Sequence, residues 1–388
     1  MSLDPDTLAQ LLETLRRFVD DRLIPREPEV AESDEMPADV IAEMREMGLF
    51  GLSIAPEYGG LGLSTEEEML AMLILARAAP AFRSIFATNV GIGSQGIAID
   101  GTEAQKARYL PRLASGEIIG SFALTEPDVG SDAASLRTTA RRDGDGYVLN
   151  GTKRYITNAP HAGLFTVMAR TDPDQPGARG VSAFLVEAGT PGLSLGAPER
   201  KMGQQGAHVC DVIFRDLRVP AEALIGGVEG QGFKTAMKVL DKGRLNIASA
   251  CTGLAERMID DMLAYGLERQ QFGQPIAGFQ LVQAMFADSQ AEAMAARALV
   301  LEAARARDRG EDVAMAASCA KMFASEMVGR VADRNVQVHG GAGYIRDYRA
   351  EQLFRDARLF RIYEGTTQIQ QTIIARQMIA GASAGKHK

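Results

Sequence analysis

The sequence predicts an α+β protein in three parts: an N-terminal α-helical domain, a central antiparallel β-sheet or β-barrel domain, and a C-terminal four-helix bundle. Three observations carry this. Apolar residues recur at three- and four-residue steps in the first third; short β-branched and aromatic runs separated by turn-rich pieces fill the middle; long helical stripes resume from Gln231. The expected boundaries are 1–118, 119–228 and 229–382, with residues 383–388 as a disordered tail.

In the first part, Leu8, Leu11, Leu12, Leu15, Phe18 and Val19 share one helical face, and further helical runs lie around Val40 to Met47 and Glu66 to Ala78. In the second, "YVLN", "RYIT", "FTVMAR", "VSAFLVE" and "VCDVIF" alternate with turn pieces such as "RDGDG" and "TDPDQPGARG". No helical pattern is interleaved with these strands, which argues against a doubly wound parallel sheet. In the third, Phe233, Met237, Leu240, Ile247, Cys251, Leu254, Met258 and Met262 form one stripe, and similar stripes start at Leu281 and Val313. Long antiparallel stripes of this kind fit a four-helix bundle.

Composition narrows the function classes. The 388 residues, 46% of them hydrophobic, allow two or three domains with a large core. No apolar run reaches membrane-spanning length. With a formal charge of −8 and basic residues spread along the chain, nucleic acid is not an expected partner, and an anionic substrate needs a local basic pocket. Cys210, Cys251 and Cys319 are far apart, and His161, His208, His339 and His387 lack ligand spacing, so neither a disulfide framework nor a zinc site is expected. The opening "MSLDPDTLAQLLETLRRF" is acidic and amphipathic, unlike a signal or transit peptide. A cytoplasmic location is expected.

Several short stretches bear on chemistry. "GIGSQG" (Gly91 to Gly96) spells GxGxxG, yet it lies among helices rather than after a buried strand, so close helix packing explains it better than a dinucleotide loop. "TEPDVGSD" (Thr125 to Asp132) follows the strand-like "GSFAL" and offers hydroxyls and a glycine to an anion or a heterocycle edge, although an ordinary polar turn has the same composition. In "KRYITN", Tyr155 and Thr157 alternate onto one strand face, an aromatic and a hydroxyl suited to a flat ring or simply to solvent. Arg244 falls on the apolar stripe of the first long bundle helix, where a charge needs a partner or a function unless it snorkels at the rim. "ERQQFGQPI" and "QVHGGAGY" are helix ends rich in glycine. Finally, "RIYEGTTQIQQ" sets Glu364 between a large aromatic and a glycine; a carboxylate in apolar surroundings gains proton affinity, which makes it a candidate base.

In their order and spacing, "LTEPDVGSD", "KRYITN", "KMGQQGAHVCDVIFRDLRVP", "LDKGR", "ERQQFGQPIAGFQ", "QVHGGAGY" and "RDARLFRIYEGTTQIQ" resemble the acyl-CoA dehydrogenase family of flavoproteins, of the short- and medium-chain kind, over essentially the whole chain. The resemblance implies FAD, with Phe122, Leu124 and Thr125 along the flavin, Gly130 and Ser131 near its diphosphate, and Ser131 also touching the acyl-CoA. Tyr155 stands where a tryptophan is more usual; Ile156 accompanies it, and Thr157 points at flavin N5. Arg269, Phe272, Ile276 and Gln280, with Gln337, Gly340 and Gly341, match positions that hold the adenosine and diphosphate of FAD from a neighbouring subunit. Thr366 and Gln368 match further flavin contacts. A homotetramer built as a dimer of dimers is implied, with an electron-transfer flavoprotein as the acceptor of electrons.

The family reaction is α,β-dehydrogenation of an acyl-CoA thioester. By the same resemblance Glu364 is the base that removes the α-proton while the β-hydrogen leaves as hydride to flavin N5, and Gly365 leaves room for the substrate. Some branches carry the base near "LDKGR" instead; that place holds Gly243 here. Asp241 and Arg244 match substrate-side positions. "AFRSIF" puts Arg83 and Ser84 where glutaryl-CoA dehydrogenases bind the distal carboxylate, an alternative specificity that includes decarboxylation after oxidation. A DNA-associated branch is disfavoured by the acidic balance.

Overall fold

The computed structural model describes residues 3–385. Its N-terminal part holds α1 (Pro5–Phe18), α2 (Glu27–Ser33), α3 (Ala38–Glu46), α4 (Thr65–Leu75), α5 (Pro80–Ala87), α6 (Gln95–Asp100) and α7 (Glu103–Ala114). Side chains start three of these helices: Asp4 accepts the Thr7 N–H, and Ser64 with Glu67 and Thr102 with Gln105 form reciprocal capping boxes. The apolar faces of α1, α3 and α5 meet in one core that includes Leu15, Phe18, Val40, Met44, Phe82 and Phe86. "GIGSQG" is helical, as its setting requires.

Strands β1 (Ile119–Ala123), β2 (Thr139–Asp143), β3 (Gly146–Thr157), β4 (Ala162–Arg170), β5 (Val181–Glu187), β6 (Leu193–Leu195) and β7 (Val209–Pro220) form one sheet in the order β1-β4-β2-β3-β7-β6, with β5 added on β4. This corrects the expectation of a wholly antiparallel sheet. β1 runs parallel to β4, with Phe122 opposite Thr166, and β2 meets β4 in parallel at Thr139 and Arg170. The β2–β3 hairpin intervenes between β1 and β4, so β4 returns to its partner in the same direction. Turn chemistry reveals sequential hairpins and not such delayed pairings.

The C-terminal part is built on α8 (Gly232–Glu268), α9 (Gln280–Asp308), α10 (Ala314–His339) and, after the short α11 (Arg349–Ala357), α12 (Thr367–Gly385). The α8 stripe read from sequence is the bundle core, with Ile247, Cys251, Leu254, Met258 and Met262 buried against α9 and α10. The stripe starting at Leu281 is not: Leu281 is 84% and Met294 62% exposed, and α9 buries small residues such as Ala293 and Ala296 instead. α12 continues through Gly385, so residues 383–385 of the expected disordered tail are helical, while 386–388 lie outside the described residues. Among the described residues no helix is long and apolar enough to cross a membrane.

One buried carboxyl ties these layers together. Glu27 on α2 accepts the Ala79 N–H at 2.8 Å and lies 3.6 Å from the Arg257 guanidinium on α8. Burial pushes its carboxyl up to about 7. Since the folded value exceeds the unfolded one, the stability linked to this group is fully present below about pH 4 and is lost as pH rises through about 7. Glu27→Gln is therefore expected to flatten the fall in Tm between about pH 5 and 8; scanning calorimetry with wild-type and variant slopes alike rejects it.

Candidate active site

A cavity of about 360 Å³ opens between the sheet, α5, α8 and the turn before α12. Arg83 and Ser84 come from α5; Phe122, Leu124, Thr125, Gly130 and Ser131 from β1 and the loop after it; Tyr155, Ile156 and Thr157 from the end of β3. α8 contributes Phe233, Met237, Leu240, Arg244 and Ile247, spaced by four, three, four and three residues along a single face. Tyr363, Glu364 and Gly365 of the turn, with Ile369 and Ile373 of α12, form a further part of the wall.

Buried polar contacts shape these segments. The loop after β1 is strutted by Glu126, which accepts from Lys153 Nζ at 2.8 Å and from the Thr138 N–H at 2.9 Å, while Lys153 also donates to the Leu124 carbonyl. Lys153 is fully buried, so the pair replaces water at a charge that could not stand alone there. At the end of β3 the register shifts between Lys153 and Ile156, and Tyr155 takes a positive φ of 58°. Simple alternation thus breaks: Ile156 stays in the sheet core, yet all three consecutive residues reach the cavity. Asn158 then anchors the strand end to α5, donating to the Ser84 carbonyl at 2.8 Å.

Glu364 lies in a left-handed turn, with φ 52°, followed by Gly365 at φ 87°. The turn is held from behind. Lys321 Nζ on α10 donates to the Gly365 carbonyl at 2.7 Å, and Gln370 Nε2 on α12 donates to the carbonyls of Glu364 and Gly365, each at 3.1 Å. The Glu364 carboxylate rests against α8 at Gly243, where a Cβ would overlap Oε2. That oxygen is buried without a hydrogen-bond partner among the described residues. Burial pushes the carboxyl above its usual range, against the opposing pull of Arg83, Lys321 and Arg244. Arg244 is buried and donates to Asp241 at 2.5 Å. Arg83, 6% exposed, donates to Asn246 Oδ1 and has no carboxylate partner among the described residues.

Other expected site residues lie elsewhere. Asp241 meets Arg244 and does not line the cavity. Thr366 accepts the Ile369 N–H at 3.2 Å at the start of α12, and Gln368 is exposed; neither reaches the wall. Arg269, Phe272, Ile276 and Gln280 sit where α8 turns into α9, and Gln337, Gly340 and Gly341 where α10 ends. The two helix ends are neighbours, since Tyr265 stacks on His339 with ring centroids 4.3 Å apart. This second cluster lines no part of the cavity, and Phe272 is 93% exposed. Lys153, Lys321 and Gln370 escaped the sequence reading. A signal existed for Lys321: like Arg244, it interrupts a buried stripe, here between Ala317 and Ala324.

The fold and this cavity define a class. Family models described as the acyl-CoA dehydrogenase N-terminal, middle and C-terminal domains match residues 5–117, 121–217 and 230–379. An acyl-CoA dehydrogenase of Bacillus subtilis is 41% identical over 367 residues, 95% of this chain and 96% of that protein. The acryloyl-CoA reductase (NADH) of Anaerotignum propionicum is 42% identical over 371 residues, 95% of this chain and 93% of its own. Butyryl-CoA dehydrogenase from Megasphaera elsdenii superimposes with a TM-score of 0.93 at 35% identity, covering 98% of this chain and 100% of that one. The chain belongs to the acyl-CoA dehydrogenase family of FAD-dependent oxidoreductases. The cavity suits that cofactor: apolar Phe122, Leu124 and Ile156 and the ring of Tyr155 offer flat walls, Thr125 and Thr157 bring hydroxyls, and space is open where a Cβ on Gly130 would stand.

Proposed function

We propose that the protein oxidises an acyl-CoA thioester to the trans-2-enoyl-CoA, with Glu364 as the base that takes the α-proton. The observation that supports this most is the Glu364 side chain, half-buried, with Oε2 enclosed and unpartnered among the described residues, at the wall of a cavity lined largely by apolar groups. Its raised proton affinity makes it a stronger acceptor than a solvated carboxylate. The Glu364 backbone N–H, which donates to no backbone carbonyl among the described residues, is the donor for charge developing on the thioester oxygen. Phe122, Leu124, Thr125, Gly130, Ser131, Tyr155, Ile156 and Thr157 hold the flavin end of FAD, and Gly365 lets the substrate pass. Bound FAD supplies the hydride acceptor for Cβ.

The second cluster, Arg269 to Gln280 with Gln337 to Gly341, serves the adenosine end of FAD bound in a neighbouring copy, so the working form is a homotetramer arranged as a dimer of dimers. An electron-transfer flavoprotein in the cytoplasm reoxidises the enzyme. Anaerobic titration of the purified yellow protein with a panel of acyl-CoAs tests the reading: saturating bleaching of the flavin by at least one of them is expected, and none across the panel rejects it.

Arg83 favours a second reading of substrate. A nearly buried guanidinium without a carboxylate partner beside the cavity suits an acyl group that ends in a carboxylate. Arg83→Met is then expected to cost roughly 10²-fold more in kcat/KM for glutaryl-CoA than for butyryl-CoA, where only its pull on Glu364 is lost. Equal losses on both thioesters would exclude this specificity.

A further inference from the structure

Lys321 is fully buried on α10 and presents its ammonium to a backbone carbonyl. The other fully buried lysine, Lys153, has a carboxylate 2.8 Å away; Lys321 has none within 4 Å among the described residues. Burying a cation without a counter-charge is costly, and its hydrogen bond falls on the residue that follows Glu364. Glu364 also holds a left-handed conformation that a side chain with a Cβ rarely adopts, and such a conformation persists only where its surroundings over-determine it. Here the surroundings are two anchors from two helices, Lys321 on α10 and Gln370 on α12, both donating to the carbonyl of Gly365.

On the reading of Glu364 as the base, we propose that Lys321 is its positioning residue: it clamps the Glu364–Gly365 turn so that the carboxylate stays pressed against Gly243 and aimed into the cavity, and its charge adds to those of Arg83 and Arg244 in favouring the ionised form. The groups facing Lys321 fit this division of labour. α8 presents Arg244 and the thiol of Cys251, the turn presents Glu364, and α10 itself presents Glu326. Arg244 is already engaged by Asp241, Glu326 accepts from Thr367 and Arg361, and Arg83 of α5, which also faces Glu364, donates to Asn246. Burial lowers Lys321 to about 8, so it remains charged at neutral pH. Gln370 supplies the same mechanical hold without charge, which separates the two effects experimentally.

The test uses the FAD-loaded enzyme, rapid anaerobic mixing with an acyl-CoA that bleaches the wild type, and a pH series. Lys321→Met is expected to slow bleaching roughly 10²-fold while KM changes little. It is also expected to move the acid limb of the rate profile up by about one pH unit or more, because removing a cation favours the protonated carboxyl. Lys321→Arg should return the limb towards its wild-type position. Gln370→Leu should slow bleaching without moving the limb. A Lys321→Met enzyme with an unmoved limb, or a loss carried by KM alone, overturns the proposal. If Lys321→Met does not accumulate as folded protein, Gln370→Leu and Lys321→Arg decide: a wild-type rate in the first, or a limb displaced in the second, counts against the clamp. Glu364→Gln run alongside keeps the two readings apart, since normal bleaching by that variant overturns the base assignment itself, whereas a dead Glu364→Gln beside an unaffected Lys321→Met overturns only the clamp.

Discussion

Glu364→Gln should bind FAD and acyl-CoA and yet fail to bleach, with a reduction rate roughly 10²- to 10⁴-fold below wild type. The amide keeps the volume and the left-handed turn, because the anchors from Lys321 and Gln370 act on backbone carbonyls and not on the side chain. What disappears is the proposed proton acceptor. The same change relieves a cost: a carboxylate that burial has pushed above its usual range is replaced by a neutral group. The variant's Tm should therefore equal or exceed that of the wild type. A slow enzyme with a lowered Tm would point to general damage, and a fast one would remove Glu364 from the chemistry.

Gly243→Ala should separate stability from activity in a second way. Within a long helix alanine is favoured over glycine by about 1 kcal/mol, so α8 alone would gain. The new methyl, however, overlaps Oε2 of Glu364 and must push the carboxylate off the helix. Displacement by about 1 Å at a reacting atom costs roughly 10²-fold in rate. We expect a Tm within a few degrees of wild type with bleaching slowed to that extent, measured by stopped-flow under anaerobic conditions. A wild-type rate would mean that the carboxylate does not work from its seat on Gly243. The contact also explains why one position excludes the other as host for an acid: a side chain at 243 and the carboxylate of Glu364 occupy the same space.

Much of this site was legible because its parts are local in sequence. The α8 stripe announces both the bundle core and, through Leu240, Arg244 and Ile247, one wall of the cavity; a period of 3.6 needs only neighbours along the helix. Glu364 stood out from the two residues beside it. What stayed hidden depends on residues far apart. The parallel pairing of β1 with β4 skips a whole hairpin, and the bond from Lys321 to Gly365 spans 44 positions. Thr366 and Gln368 illustrate the converse: the resemblance sets them beside the flavin, but a single chain uses Thr366 as a helix cap and leaves Gln368 on the surface. Leu281 fails for a related reason, since a stripe tells that a face is apolar and not whether the same chain covers it.

α8 runs unbroken for 37 residues, from Gly232, beside Phe233 of the cavity wall, to Glu268, four residues short of Phe272. At 1.5 Å per residue it is about 55 Å long, so a tilt of about 2° around its midpoint displaces either end by about 1 Å. The helix is a lever with the cavity wall at Phe233 near one tip and the exposed ring of Phe272 just beyond the other. The same tilt carries Gly243 only about 0.4 Å, because the seat of Glu364 lies near the fulcrum and not at the tip.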